Sequence, residues 1–207
     1  MDVKNKMPDI IEELSETKKL IILLLGINNF EPILNGLRLQ KLLFYFALVA
    51  SENEEEKREL LEYFNFYPHK AGPYSEYVEQ ELEELAKYGV VEYNLSDKRF
   101  EMIRLTEKGK EIFYKILSVS SRKLVAILQD IKELLNDREI TDLDILTLIY
   151  DLDKEYVMKS KWVEKVERNR VQTAIKLYKK GKISLERASE IAGLKVSELK
   201  QYLRKNI

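Results

Sequence analysis

The stretch ISLERASEIAGLKVSELKQYL, residues Ile183 to Leu203, commits the C-terminal part of this chain to a pair of crossed helices. Ser184 is placed to cap a short helix, and Ala188, Ile191 and Ala192 give that helix a small inner face that a second helix can approach closely. Gly193 supplies the tight turn and Leu194 fills its corner, while Leu199, Tyr202 and Leu203 predict the buried face of the following helix. Lys195, Ser197, Lys200, Gln201 and Arg204 are then left facing outward. Lys and Arg reach phosphates or guanine edges and Gln pairs bidentately with adenine, so these five are the predicted DNA-binding residues of a helix-turn-helix. A plain helical hairpin that packs on the rest of the chain would carry the same apolar pattern and is the competing account.

The charge around this stretch favours a polyanion. From Lys161 to Ile207 there are thirteen basic residues against five acidic ones, a net +8, whereas the whole chain carries −1 and residues 1–160 therefore −9. A division of that kind predicts a tail that meets nucleic acid and a body that does not, with a solvated Lys-rich surface as the simpler alternative. If the tail is the electrostatic footprint, its removal before Lys161 is expected to leave the body folded.

Upstream, helical spacing runs through Ile10, Ile11, Leu14, Leu20, Ile21, Leu24 and Leu25 after Pro8 and Asp9, with Gly26 and Asn28 expected to end the helix. A second helix, Leu37 to Val49, is apolar on most sides and so belongs at the centre of the core. Ser51 to Glu62 reads as an acidic surface stretch or short helix, and Tyr67 to Ser75 as a turn-rich segment that introduces a further helix ending at Gly89. Val90 to Asn94 and Arg99 to Leu105 have strand composition and flank a polar turn, which makes them the one expected β-hairpin. Thr106 caps the helix from Glu107. The row Val125, Leu128, Ile131 and Leu135 marks another amphipathic helix, which can either supply a homodimer interface or close the body's own core.

The expected fold is therefore mainly α: a winged-helix domain over residues 1–118 with one β-hairpin, connecting helices over 119–160, and a basic helix-turn-helix domain over 161–207. The run from Gln172 to Ile207 resembles a family of small uncharacterised prokaryotic helix-turn-helix proteins of antitoxin-like kind. The segments LRLQKLLFYF, FYPHKAGPYSEYVEQELEELAKYGVVE and RLTEKGKEIF are similar to prokaryotic winged-helix proteins with a Gly-Pro-Tyr-Ser motif, related more distantly to SocA-type antitoxins. That resemblance implies that Tyr74 to Tyr88 is the body's recognition helix. Glu76, Glu79, Glu81, Glu83 and Glu84 against the single Lys87 argue that such a helix does not lie on phosphates, which leaves Lys70, Lys98 and Arg99 as the body's phosphate contacts.

Several classes are disfavoured. With no cysteine there are no disulfides and no thiolate chemistry, and the single histidine, His69, leaves no paired-histidine metal site. No Gly-rich phosphate loop or dinucleotide fingerprint is present, and successive carboxylates such as Glu52 and Glu54 to Glu56 on one helix do not converge on an ion. No catalytic residue, cofactor or metal is expected. Trp162 is expected to anchor the tail to the body rather than to stack on a base. The apolar runs Leu20 to Ile27 and Leu42 to Ala50 are each under half of the roughly 20 residues that span a bilayer, and the acidic N-terminal stretch is no signal peptide, so a cytoplasmic location is expected. Richness in Lys, Glu, Ile and Leu hints at a thermophilic source. The function expected is a DNA-binding transcriptional regulator acting through the C-terminal helix-turn-helix. The alternative is an antitoxin-like or adaptor protein whose acidic body binds a protein partner.

Overall fold

The computed structural model describes residues 11–94, 102–135, 137 and 139–205. The chain is mainly α, with a small antiparallel sheet. Helix α1 (Glu16–Ile27) opens later than Pro8 would place it, because the Ser15 side chain accepts a hydrogen bond from the Lys18 N–H and Glu16 lies in the first turn. Gly26 does not end this helix. A Cβ there would come within 2.2 Å of the Phe113 ring, so the glycine is the seat on which that ring packs. Leu20 through Leu25 are buried on every side, and α1 with α2 (Gly36–Ala50) forms the centre of the core as the apolar patterns require.

Between these helices runs β1 (Ile33–Leu34), and after α2 comes α3 (Glu54–Tyr63), capped by Asn53. Two further strands, β2 (Tyr67–His69) and β3 (Gly72–Tyr74), pair antiparallel with Pro68 opposite Pro73. This second ribbon corrects the expectation of a single hairpin. Pro and Gly punctuate both strands, so the segment has turn composition, yet an isolated two-stranded ribbon needs few ladder donors and tolerates Pro. Ser75 then caps α4 (Glu76–Lys87). The predicted hairpin follows as β4 (Val91–Asn94) and β5 (Met102–Leu105), with Val91 opposite Leu105. Helix α5 (Glu107–Val119) starts at Thr106, whose hydroxyl accepts from the Gly109 N–H at 3.1 Å.

The sheet order is β1-β5-β4, with Ile33 paired to Ile103. A helix, a short strand, a helix, a further helix in the recognition position and a two-stranded wing folded back on the first strand make the winged-helix order, with α3 and the β2–β3 ribbon inserted before α4. The tip of the wing, including Lys98 and Arg99, lies outside the described residues.

Helix α6 (Arg122–Leu135) buries Leu128 and Ile131 completely within the chain, with Val125 and Leu135 partly covered. Of the two roles open to this row, it closes this chain's own core, because α6 lies on α1 and α2. Helix α7 (Asp142–Leu152) carries a capping box between Thr141 and Asp144 and packs between α2 and the next long helix. The short α8 (Glu155–Met158) leads into α9 (Val163–Lys179), and the chain ends in α10 (Leu185–Ala192) and α11 (Val196–Lys205). No helix among the described residues is long and apolar enough to cross a membrane.

The tail is built into the body. Ile145, Leu146, Leu148 and Ile149 of α7 are buried, as are Val166, Ala174, Ile175 and Leu177 of α9. Further back, the Lys161 N–H donates to the Lys70 carbonyl at 3.1 Å. Trp162 packs against the core beneath the ammonium groups of Lys161 and Lys165, 5.6 and 4.6 Å from its ring. With α7 shared in this way, a body cut before Lys161 would expose an apolar face, contrary to the expectation of a separable tail.

Candidate nucleic-acid interface

Helices α10 and α11 cross at the Gly193 turn. Ser184 caps α10 by accepting from the Arg187 N–H at 3.1 Å, and Gly193 has φ +67° and ψ 32°, the left-handed conformation that ends a helix. Ala188 and Ile191 are wholly buried, Ala192 nearly so, and Leu194 packs into the corner. Across from them, Leu199 is 0% exposed and Leu203 half-buried. Tyr202 departs from the expected inner face and is 46% exposed. Leu199 and Leu203, four residues apart, already fill the narrow strip that α11 buries, and Tyr202 falls outside it.

The outer side of α11 carries Ser197, Lys200, Gln201 and Arg204, all exposed and spaced three and four residues apart in one stripe. Lys195 is exposed at the start of the helix, where its backbone N–H is bound by the Glu198 carboxylate at 2.7 Å. The structure therefore brings four of the C-terminal residues singled out above onto one solvent-facing stripe, with Lys195 exposed at the start of the helix.

Sequence inspection missed what holds this unit. Arg170 of α9 donates from Nε to the Ile191 carbonyl at 2.7 Å and from Nη2 to the Glu190 carbonyl at 3.1 Å, which satisfies two acceptors at the end of α10. Its guanidinium also lies 3.4 Å from Asp151 of α7 and over the Tyr150 ring. Asp151 in turn pairs with Arg187 of α10 at 2.8 Å, so one carboxylate on α7 holds arginines of α9 and α10.

The tail's charge is accordingly only partly directed outward. Lys176 pairs with Asp144 at 2.8 Å, Lys180 with Asp137 and Glu139 at 2.9 and 2.7 Å, and Lys182 with Glu133 at 2.9 Å. Lys180 holds the Asp137 carboxyl below its ordinary range. Together with Arg170 and Arg187, five cations of the +8 tail face carboxylates of the −9 body. Part of the asymmetry is internal complementarity, and among the described residues the exposed cations of the tail lie on the α11 side, at the start of α9 and at Lys179 at its end. Asp144 is wholly buried and accepts from the Thr141 N–H, the Thr141 and Thr173 hydroxyls and Lys176. Burial alone would raise its pKa, but Lys176 and the Thr141 and Thr173 donors outweigh it and hold the carboxyl below its ordinary value.

The sign is reversed in the winged-helix body. Glu76, Glu79, Gln80, Glu83 and Lys87 are exposed along α4, while the buried Glu81 and the half-exposed Glu84 share Lys18 at 3.3 and 2.7 Å. Lys70 is exposed at the ribbon tip. His69 lies against Tyr67 and Tyr74 in the same ribbon, and among the described residues no group of three His, Asp or Glu side chains is arranged to hold a metal.

Residues 151–206 match the model of an uncharacterised protein family, UPF0175. The UPF0175 match begins at Asp151, the carboxylate that holds Arg170 and Arg187, and runs through α9, α10 and α11. It covers nearly all of the segment whose sequence resembles small prokaryotic helix-turn-helix proteins, and it does not extend to the winged-helix body. No curated protein and no solved structure matches the chain.

Proposed function

We propose that this chain is a DNA-binding regulator that presents α11 to the major groove and keeps its acidic winged-helix body for protein contact, as an antitoxin-like regulator would. The observation that carries this reading is the stripe Ser197, Lys200, Gln201 and Arg204, exposed on a helix whose opposite side is seated by Leu199. A groove-reading helix needs donors on one side and a rigid seat on the other. Arg170 and Asp151 supply much of that rigidity. The acidic stripe on α4 favours the division of labour, since carboxylates at that density repel phosphates. The protein acts in the cytoplasm and needs no cofactor for this role. Two copies would read half-sites about one helical turn apart, joined by a surface other than α6.

The test is a fluorescence-anisotropy titration of a mixed-sequence duplex with the full chain and with a K200E/R204E variant. Both substitutions are on exposed positions, so folding is expected to be retained and is checked by circular dichroism. Wild-type affinity should fall with rising salt, with a log–log slope of about 0.9 per phosphate contacted, and the variant should bind at least about tenfold more weakly. Equal affinity of the two proteins at low salt would falsify the assignment to α11.

A further inference from the structure

The face of the winged helix that lies in front of α4 holds a groove of about 490 Å³ between the start of α2, α4 and wing strand β4. Val78 and Leu82 form its floor, Leu37 and Tyr74 its walls, and Glu79 and Glu83 its rim. The apolar surface continues outward, with Leu37 41% exposed and Leu34 beside it on β1 48% exposed. Among the described residues no Lys or Arg lines the groove. The nearest cations of α2, Arg38 and Lys41, are turned to Asp142 on the other side, at 2.7 and 3.3 Å. Among the described residues Glu79 and Glu83 take part in no ion pair, Glu79 accepting only from the Tyr74 hydroxyl of the groove wall, whereas Glu81 and Glu84 are both matched by Lys18.

We propose that this groove receives a basic amphipathic helix of a partner protein, whose apolar side chains seat on Leu37, Val78 and Leu82 while its Lys or Arg residues reach Glu79 and Glu83. The place is where a winged helix would hold nucleic acid, but the rim has the sign that repels a polyanion and attracts a cationic segment. An apolar floor with a rim of one charge is the complement of a helix with an apolar stripe between basic flanks. This deepens the protein-binding half of the function proposed above and is independent of its DNA-binding half.

The probe is a fluorescein-labelled peptide of about three helical turns, with Leu along one face and Lys and Arg beside it, titrated with the full chain. Saturable binding that weakens with salt is expected. Loss should be about tenfold in E79K/E83K and in Leu37→Ser, which alters an exposed position and leaves the core intact. The K200E/R204E protein should bind the peptide as wild type does. If that variant keeps both peptide and duplex, the DNA assignment fails and the groove stands. Peptide binding that is absent from wild type, or unchanged in both groove variants, overturns the proposal. So does displacement of the peptide by duplex DNA, which would make the groove a nucleic-acid site. Self-association abolished by both E79K/E83K and K200E/R204E also overturns it, because the occupant would then be α11 of a second copy.

Discussion

At the scale of single residues, Arg170 does for the end of α10 what a capping side chain usually does from within the same helix. Replacing it with Ala takes the guanidinium donor from the Ile191 carbonyl, while the Glu190 carbonyl keeps the Gly193 N–H. Urea denaturation should show a loss of about 1.5 to 3 kcal/mol, and duplex affinity should fall with it, as a residue acting through helix position requires. Asp144 gives a pH signature. Its folded pKa is depressed, so its contribution is complete at neutral pH, above the unfolded Asp value of about 3.9, and fades as pH falls through the lower folded value. Asp144→Asn should destabilise at pH 7 by somewhat less than the roughly 3 to 5 kcal/mol of a broken buried pair, because Lys176 can turn to water. The variant should lose part of the wild type's acid sensitivity below about pH 4, which thermal melts across that range would reveal. Caps such as Ser184 and Thr106 were readable from their immediate neighbours. Arg170 was not, since its acceptors lie 20 and 21 residues away and backbone carbonyls leave no mark in composition.

Among the elements, α11 was the most legible, because period and turn agree over Ile183 to Leu203 and Gly193 takes the left-handed conformation that the turn demands. Leu199→Ala should cost about 2 to 5 kcal/mol by opening a cavity under α11. Lys200→Ala and Arg204→Ala should instead leave stability unchanged. Each should cost about 1 to 3 kcal/mol of binding where it reads a base, and weaken all duplexes alike where it holds phosphate. Affinity for a panel of duplexes at fixed salt separates the two. The β2–β3 ribbon and the two-residue β1 were illegible for a different reason. Neither is long enough to show alternation, and Pro68, Gly72 and Pro73 are residues that elsewhere interrupt a strand.

For the molecule as a whole, a charge count located the basic tail correctly but could not say what it faces. Lys176, Lys180, Lys182, Arg170 and Arg187 meet carboxylates brought close only by folding. A chain ending at residue 160 should therefore fail to fold cooperatively, showing a broad urea transition or aggregation, because α7 loses the cover of α9 together with the Thr173 and Lys176 partners of Asp144. A sharp two-state transition in that fragment would show that the body is autonomous after all. The same architecture sets two demands on one side chain. Asp151 must hold Arg170 of α9 and Arg187 of α10 at once, so the guanidinium of Arg187 serves the seat of α10 and is not offered to an outside anion. Asp151→Asn should lower the urea midpoint and, by loosening the seat of α10 and α11, weaken duplex binding with it, as Arg170→Ala does. In this chain, firmness of fold and firmness of grip hang from one carboxylate, and a variant that gives up the first is expected to give up some of the second.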